Sequence, residues 1–209
     1  MSPERTSTST ADDAAAAPRR GRPGYDRETL LAVCVDVFNR YGYDATSMGM
    51  LSKHLGISKS AIYHHVESKE EILGQALDRA LDALEAVFAE VLASDSGPVV
   101  KLERILDGSV RVLVAQMPYV TLLLRLRGNS EVEEAALQRR RTLTRNLEDL
   151  VREAQELGEL RPDISGQSAP RLMRGMVHSS VDWSQPGRSG TVDQLAATGV
   201  TMVFAGLRA

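Results

Sequence analysis

The sequence holds one cysteine in 209 residues, Cys34. That excludes a disulfide framework and a cysteine-cluster zinc site. Cys34 falls in a segment of apolar periodicity, where a free thiol reads as a buried structural residue. Aromatic residues make up only 4% of the chain, so any core must be aliphatic. A β-sandwich would ask for more Val, Ile, Tyr and Thr in strict alternation, so helices are favoured. Purely apolar stretches are short, Val112-Leu113-Val114-Ala115 being typical. A membrane-crossing helix needs about 20 such residues in a row. The N-terminus also lacks the apolar core of a secretory signal. The expected location is the cytoplasm, with no membrane partner.

Charge of one sign is lacking too. Lys and Arg number 25 against 28 Asp and Glu, a net charge of −3. A protein that coats nucleic acid with its whole surface should be basic. A histone-like protein is thereby excluded, but a protein with one small basic face is not.

Residues 1–18 are mostly Ser, Thr, Pro, Ala and Asp, without apolar periodicity. Such composition cannot build a core and is expected to be disordered. Arg19-Arg20-Gly21-Arg22-Pro23-Gly24 follows, with three cations in its first four residues. From Asp26 onward the pattern is helical almost throughout, and no solenoid-length repeat is present. Leu30, Val33, Cys34, Val37, Phe38 and Tyr41 form one helical stripe behind the Asp26 cap. Ser or Thr caps then open a short helix near Thr46–Ser47 that runs through Leu55, another at Ser58 that runs through about His65, and a long helix at Ser68. Further helices are expected at about 98–115, 118–127, 131–157, 166–184 and 191–207, separated by Gly- and Pro-containing breaks. The helix at 131–157 carries Arg139, Arg140, Arg141, Arg145 and Arg152 among several Glu. This run reads as a solvated face with i,i+4 ion pairs, a contribution to an anion site being the alternative.

Residues 46–66 concentrate the chemistry. Two short helices meet at Gly56, with Met48, Leu51, Leu55, Ile57 and Ile62 placed to pack them at a steep angle. The second opens with Ser58, Lys59, Ser60 and Ala61, small or basic residues, and leads into Tyr63 and His64. A helix-turn-helix sets the N-terminal residues of its second helix against base edges in the major groove. No Asp or Glu occurs from residue 45 to 66, whereas Lys53, Lys59 and three of the four histidines do. A polyanion partner explains that bias better than a helical hairpin that binds nothing.

Residues 26–85 resemble the DNA-binding domain of the TetR family of bacterial one-component repressors. The resemblance rests on Phe38, Gly42-Tyr43, Ala45-Thr46-Ser47 and Leu51-Ser52. It continues through Leu55-Gly56-Ile57-Ser58-Lys59-Ser60-Ala61-Ile62-Tyr63-His64-His65-Val66 and Ser68-Lys69-Glu70-Glu71-Ile72-Leu73. Ser52 and Val66 stand where the family commonly has Ala and Phe. Membership implies an all-α homodimer: an N-terminal three-helix bundle with a helix-turn-helix, then a C-terminal helical ligand-binding and dimerisation domain. The expected division is a basic arm at 1–25, the DNA-binding domain at 26–85 and the C-terminal domain at 86–209.

The resemblance also implies residue roles. Thr46 would hold a phosphate at a helix N-terminus, with Ser47 beside it in the DNA-binding set. Ser58 caps the recognition helix, and Lys59, Ser60 and Ala61 would meet base edges. Tyr63 and His64 would reach the backbone or groove edge, and Lys69 a phosphate. Arg20 and Arg22 have the form of a minor-groove insert. Partners are then a double-stranded operator, a small-molecule effector and a second copy, joined through 166–184 and 191–207.

For the effector, Met117, Leu122, Met173, Met176, Val177 and Trp183 offer adaptable apolar lining. Arg125 sits on a short expected helix without acids, where it is either exposed to solvent or points inward to a distant acid or a bound anion. Together they suit an apolar acid or an acyl-CoA better than a cation. No phosphate loop, nucleophile elbow or Cys/His set supports an enzyme, a metal site or a cofactor. His178, Asp182 and Trp183 share one late helix, a thin basis for hydrolysis.

Overall fold

The computed structural model describes residues 26–183 and 191–208. Among them are nine helices, and the only β-type pairing is an isolated bridge from Leu160 to Arg208. No helix among the described residues is long and apolar enough to cross a membrane. The fold is all-α, as the periodicity implied.

The N-terminal bundle consists of α1 (Arg27–Tyr41), α2 (Met48–Leu55) and α3 (Lys59–Tyr63), followed by the long α4 (Lys69–Leu92). Each begins at a side-chain cap that satisfies one orphan N–H of the first turn. Asp26 accepts from Thr29 N, Ser47 from Met50 N, Ser58 from Ala61 N and Ser68 from Glu71 N. Gly56 ends α2 in the left-handed conformation, φ 67°, which a side chain resists. Leu30, Cys34, Phe38, Leu51, Ile62, Ile72 and Leu73 are buried in the common core. Burial pushes the Cys34 thiol up to about 12, in keeping with a structural residue.

The C-terminal part contains α5 (Pro98–Ala115), α6 (Met117–Leu124), α7 (Glu131–Glu156), α8 (Ser168–Trp183) and α9 (Val192–Leu207). α5 is the central element and packs on α4, α6, α7, α8 and α9. The approach to α4 is close: a Cβ built on Gly108 would stand 2.5 Å from Val87 Cγ1. α4 itself packs on α1 as well as on α5, α6 and α7. The expected division after residue 85 therefore falls inside one continuous helix that serves both parts.

Three helix ends differ from expectation. α3 stops at Tyr63, before His64 and His65. α8 begins at Ser168 rather than 166. α6 stops at Leu124 rather than continuing to 127. The reason lies in α7: Glu133 accepts from the backbone N–H groups of Arg127, Gly128 and Asn129 at 3.0, 2.7 and 3.1 Å. Those donors are turned toward one buried carboxylate, so they cannot extend α6.

Candidate DNA interface and ligand cavity

The exposed side of α3 carries the expected reading residues. Lys59, Ser60, Tyr63 and His64 are exposed, Ala61 is half-buried and Ile62 is fully buried. Positions i, i+1, i+4 and i+5 share one side of a helix, so burying Ile62 turns the polar set outward. Ser58 and Ser47 are exposed but already hold N–H groups of their own helices. Lys59 lies across α2 at Gly49, where an added Cβ would sit 3.4 Å from its Cε. The acid-free stretch thus becomes a compact, exposed surface.

Thr46 and Lys69, expected at phosphates, make internal contacts in this structure. Thr46 is buried and its hydroxyl donates to Gly42 O at 2.7 Å, which closes the turn after α1. The Lys69 ammonium donates to Tyr43 O at 3.0 Å and Thr46 O at 2.9 Å. It also stands 4.2 Å from the centroid of the Tyr43 ring. Its charge satisfies carbonyls of the α1–α2 turn and ties that turn to α4. Arg20 and Arg22 lie outside the described residues.

The ligand-pocket assignments are corrected more heavily. The apolar cavity lies among α4, α5, α6, α7 and α8 and has a volume of about 100 Å³. Met173 and Val177 are on its wall. Met117, Leu122, Met176 and Arg125 are not among its walls. Met117 packs against the core, while Leu122 and Arg125 line a second, more polar cavity with Phe38, Tyr43 and Glu133. Arg125 caps the C-terminus of α6, is exposed, and donates to Asn39 O of α1. The early end of α6 turns it toward the N-terminal bundle and away from the cavity. The side chain of Trp183 lies outside the described residues.

The cations on the cavity wall are Arg140 of α7 and Arg174 of α8, with His178 one turn beyond Arg174. Arg140 donates to Leu123 O at 3.0 Å, and Arg174 to Thr144 Oγ1 at 2.9 Å. Burial, and then the neighbouring charge of Arg174, lower the Arg140 pKa. Burial, followed by the charges of Arg140 and Arg174, depresses the His178 imidazole to about 4. It is therefore neutral at pH 7. A signal for Arg140 was present in the sequence. It falls four residues after Ala136 and three before Leu143, inside the apolar stripe, where a cation has a partner or a purpose.

Comparison with known proteins bears on both regions. Residues 30–76 match the family described as "Bacterial regulatory proteins, tetR family". Residues 95–207, more than half of the chain, match "Tetracyclin repressor-like, C-terminal domain". The chain belongs to the TetR family. It is 29% identical over 192 residues to the transcriptional repressor KstR2 of Rhodococcus jostii, covering 87% of this chain and 90% of that one. A solved TetR-family regulator of Streptomyces coelicolor, SCO3833, shares 43% identity with a TM-score of 0.78. That match covers 87% of this chain and 92% of SCO3833. AibR, solved with isovaleryl coenzyme A and operator DNA, has the same fold at 23% identity and a TM-score of 0.73. It covers 86% of this chain and 98% of AibR. This TetR-family chain is accordingly a DNA-binding transcriptional regulator, and no metal-holding group of His, Cys, Asp or Glu occurs among its described residues.

Proposed function

We propose that the protein is a homodimeric repressor, released from a palindromic operator by a small apolar ligand, an apolar acid or an acyl-CoA. The observation that carries this reading is the course of α4. Near its start, Ile72 and Leu73 are buried in the core with the helix-turn-helix. Three turns on, Leu84 and Phe88 line the apolar cavity. A rigid helix with one end at each place couples what fills the cavity to the attitude of α3. A dimer must hold its two recognition helices about 34–36 Å apart to read half-sites on one face of DNA. A ligand that binds better when α4 is tilted shifts the population away from that spacing by its differential affinity.

In this reading Lys59, Ser60 and Ala61 meet base edges, and Tyr63, His64 and Ser47 the backbone. Arg20 and Arg22 enter the minor groove. Faces of α8 and α9 support the dimer. Leu172 is 72% exposed and Met202 66% exposed, large apolar side chains left to solvent in one copy. A Cβ on Gly175, Gly199 or Gly206 would meet nothing within 4 Å. Small residues beside apolar ones permit close approach of symmetry-related helices. The acyl-CoA option is supported by AibR, whose structure holds isovaleryl coenzyme A.

The test is a gel shift on the DNA upstream of the protein's own gene, with sedimentation of the free protein. Specific binding lost on scrambling one half-site, and a dimer in solution, are expected. Binding indifferent to the palindrome would overturn the repressor reading.

A further inference from the structure

We infer that Arg140 and Arg174 form an anion subsite within the apolar cavity, which receives the carboxylate of a compact apolar acid. This rests on the ligand-responsive part of the function proposed above and narrows its ligand class.

The two guanidinium groups come from different helices, α7 and α8, and both line the same cavity. Neither has a carboxylate within ion-pair distance among the described residues. The contrast with the next residue is sharp, since Arg139 contacts Asp78, Asp82 and Glu85. Acids are therefore plentiful nearby and are kept out of the cavity. Arg140 uses a donor on Leu123 O and Arg174 one on Thr144 Oγ1. A guanidinium has five donors in a planar fork, so each retains capacity that a carboxylate can fill in pairs. Like charges facing one cavity repel, and an anion between them removes that repulsion. His178, the remaining titratable wall group, supplies no negative charge; its neutral ring offers one donor and one acceptor.

Apart from Ser109 and Thr144, the rest of the wall is apolar and selects the carbon skeleton. Leu84, Phe88, Ile105, Leu113, Leu143 and Met173 offer no polar side-chain group. A volume of about 100 Å³ limits that skeleton to a short or branched chain in this conformation. Among the described residues the wall has no carboxylate to attract an organic cation, and a neutral hydrocarbon would leave both guanidinium groups without a counter-charge.

The experiment is calorimetric titration of the full-length protein, without DNA, using hexanoate, hexanamide, hexylammonium, coenzyme A and hexanoyl-CoA. Hexanoate is expected to bind about tenfold or more tightly than hexanamide, the margin of a charge-assisted pair over a neutral one. Arg140→Gln and Arg174→Gln should each bring that ratio close to one, with circular dichroism reporting an intact helical fold. Arg140→Lys and Arg174→Lys keep the charge without the fork and should retain part of the preference. Equal affinity for acid and amide in the unaltered protein would overturn the subsite. So would acid preference surviving in both Gln variants, preference for hexylammonium, or no binding by hexanoate. Binding of hexanoyl-CoA without hexanoate would overturn the carboxylate assignment. Operator binding by the ligand-free protein is measured separately, so failure of the DNA-binding reading is distinguishable from failure here.

Discussion

Arg139 and Arg140 are consecutive on α7 and serve different surfaces. Arg139 contacts Asp78 Oδ1 at 2.8 Å, Asp82 Oδ1 at 2.5 Å and Glu85 Oε2 at 2.7 Å, all on α4. Hydrogen bonding to Glu85 leads the causes that raise its pKa, so its charge is permanent. Arg140 lines the cavity and holds Leu123 O of α6. One turn of α7 therefore joins the cavity to the helix that carries the DNA-binding bundle.

Arg139→Met should uncouple the two ends. Asp78, Asp82 and Glu85 would then face each other along α4 without their cation. The three carboxylates are largely exposed, so solvent screens the cluster and it contributes on the order of 1 kcal/mol, most of it as relief of like-charge repulsion. Urea unfolding should show that loss. Ligand affinity should be unchanged while ligand-driven release from the operator weakens. Unaltered release would show that α7 does not transmit through this contact.

Lys59→Ala and Lys69→Met should separate reading from scaffolding. Lys59 is exposed on α3, so its loss should weaken specific DNA binding by roughly 1–3 kcal/mol and leave the melting temperature in place. Lys69 satisfies two backbone carbonyls, so its loss should lower stability first, by about 1–3 kcal/mol. Thermal unfolding alongside gel shifts checks both, and the reverse pattern would mean that the two lysines exchange roles.

Glu133→Ala removes the buried acceptor for three backbone N–H groups of a partly exposed loop. Each orphaned donor costs about 1–3 kcal/mol unless water reaches it. A loss of at least about 2 kcal/mol in denaturant unfolding is expected, and Glu133→Gln, which keeps one acceptor oxygen, should recover part of it. Full stability in the Ala variant would show that the loop reorganises at no cost.

Gly108→Ala tests the α4–α5 approach. Its Cβ would overlap Val87 Cγ1 at 2.5 Å, so the Val87 side chain must leave its rotamer or the two helices must move apart. Overpacking of this kind costs about 1–3 kcal/mol, against a helix-propensity gain near 1. The net should be a lower melting temperature. Gly108→Ala combined with Val87→Ala should restore much of it, a coupling that unrelated sites would not show.

The His178 environment makes stability fall on acidification. Its imidazole titrates near 4 in the folded chain, below the ordinary value of 6.5, because it is buried and faces two guanidinium groups. Between those values the unfolded chain binds a proton that the folded one does not. The stability held at pH 7 is therefore lost as pH falls from about 6.5 toward 4. His178→Gln cannot titrate, so it should lose less stability than the unaltered protein between pH 7 and pH 4.5. Parallel loss in the two would place the acid sensitivity elsewhere.

Periodicity, caps and breakers are local, and they determined the helices, because a hydroxyl at Ser47 or Ser68 needs only its own first turn to act. The helix-turn-helix was legible for the same reason: Gly56, the buried Ile62 and the exposed Lys59 lie within a few residues of one another. The ends of α3 and α6 were not legible. The Glu133 carboxylate that terminates α6 lies beyond the loop it organises, and nothing in 118–127 announces it. Side-chain destinations were decided by tertiary packing alone. Lys69 reads as a free cation until Tyr43 and Thr46 carbonyls, 26 and 23 residues earlier, are folded beneath it. Arg125 and Arg140 could each have entered the cavity on local pattern. Arg125 turns to Asn39 of α1 because α6 stops early, and Arg140 turns inward because α7 packs its stripe on α4 and α5. Charges are placed by the partners available in three dimensions, and sequence distance carries no record of that.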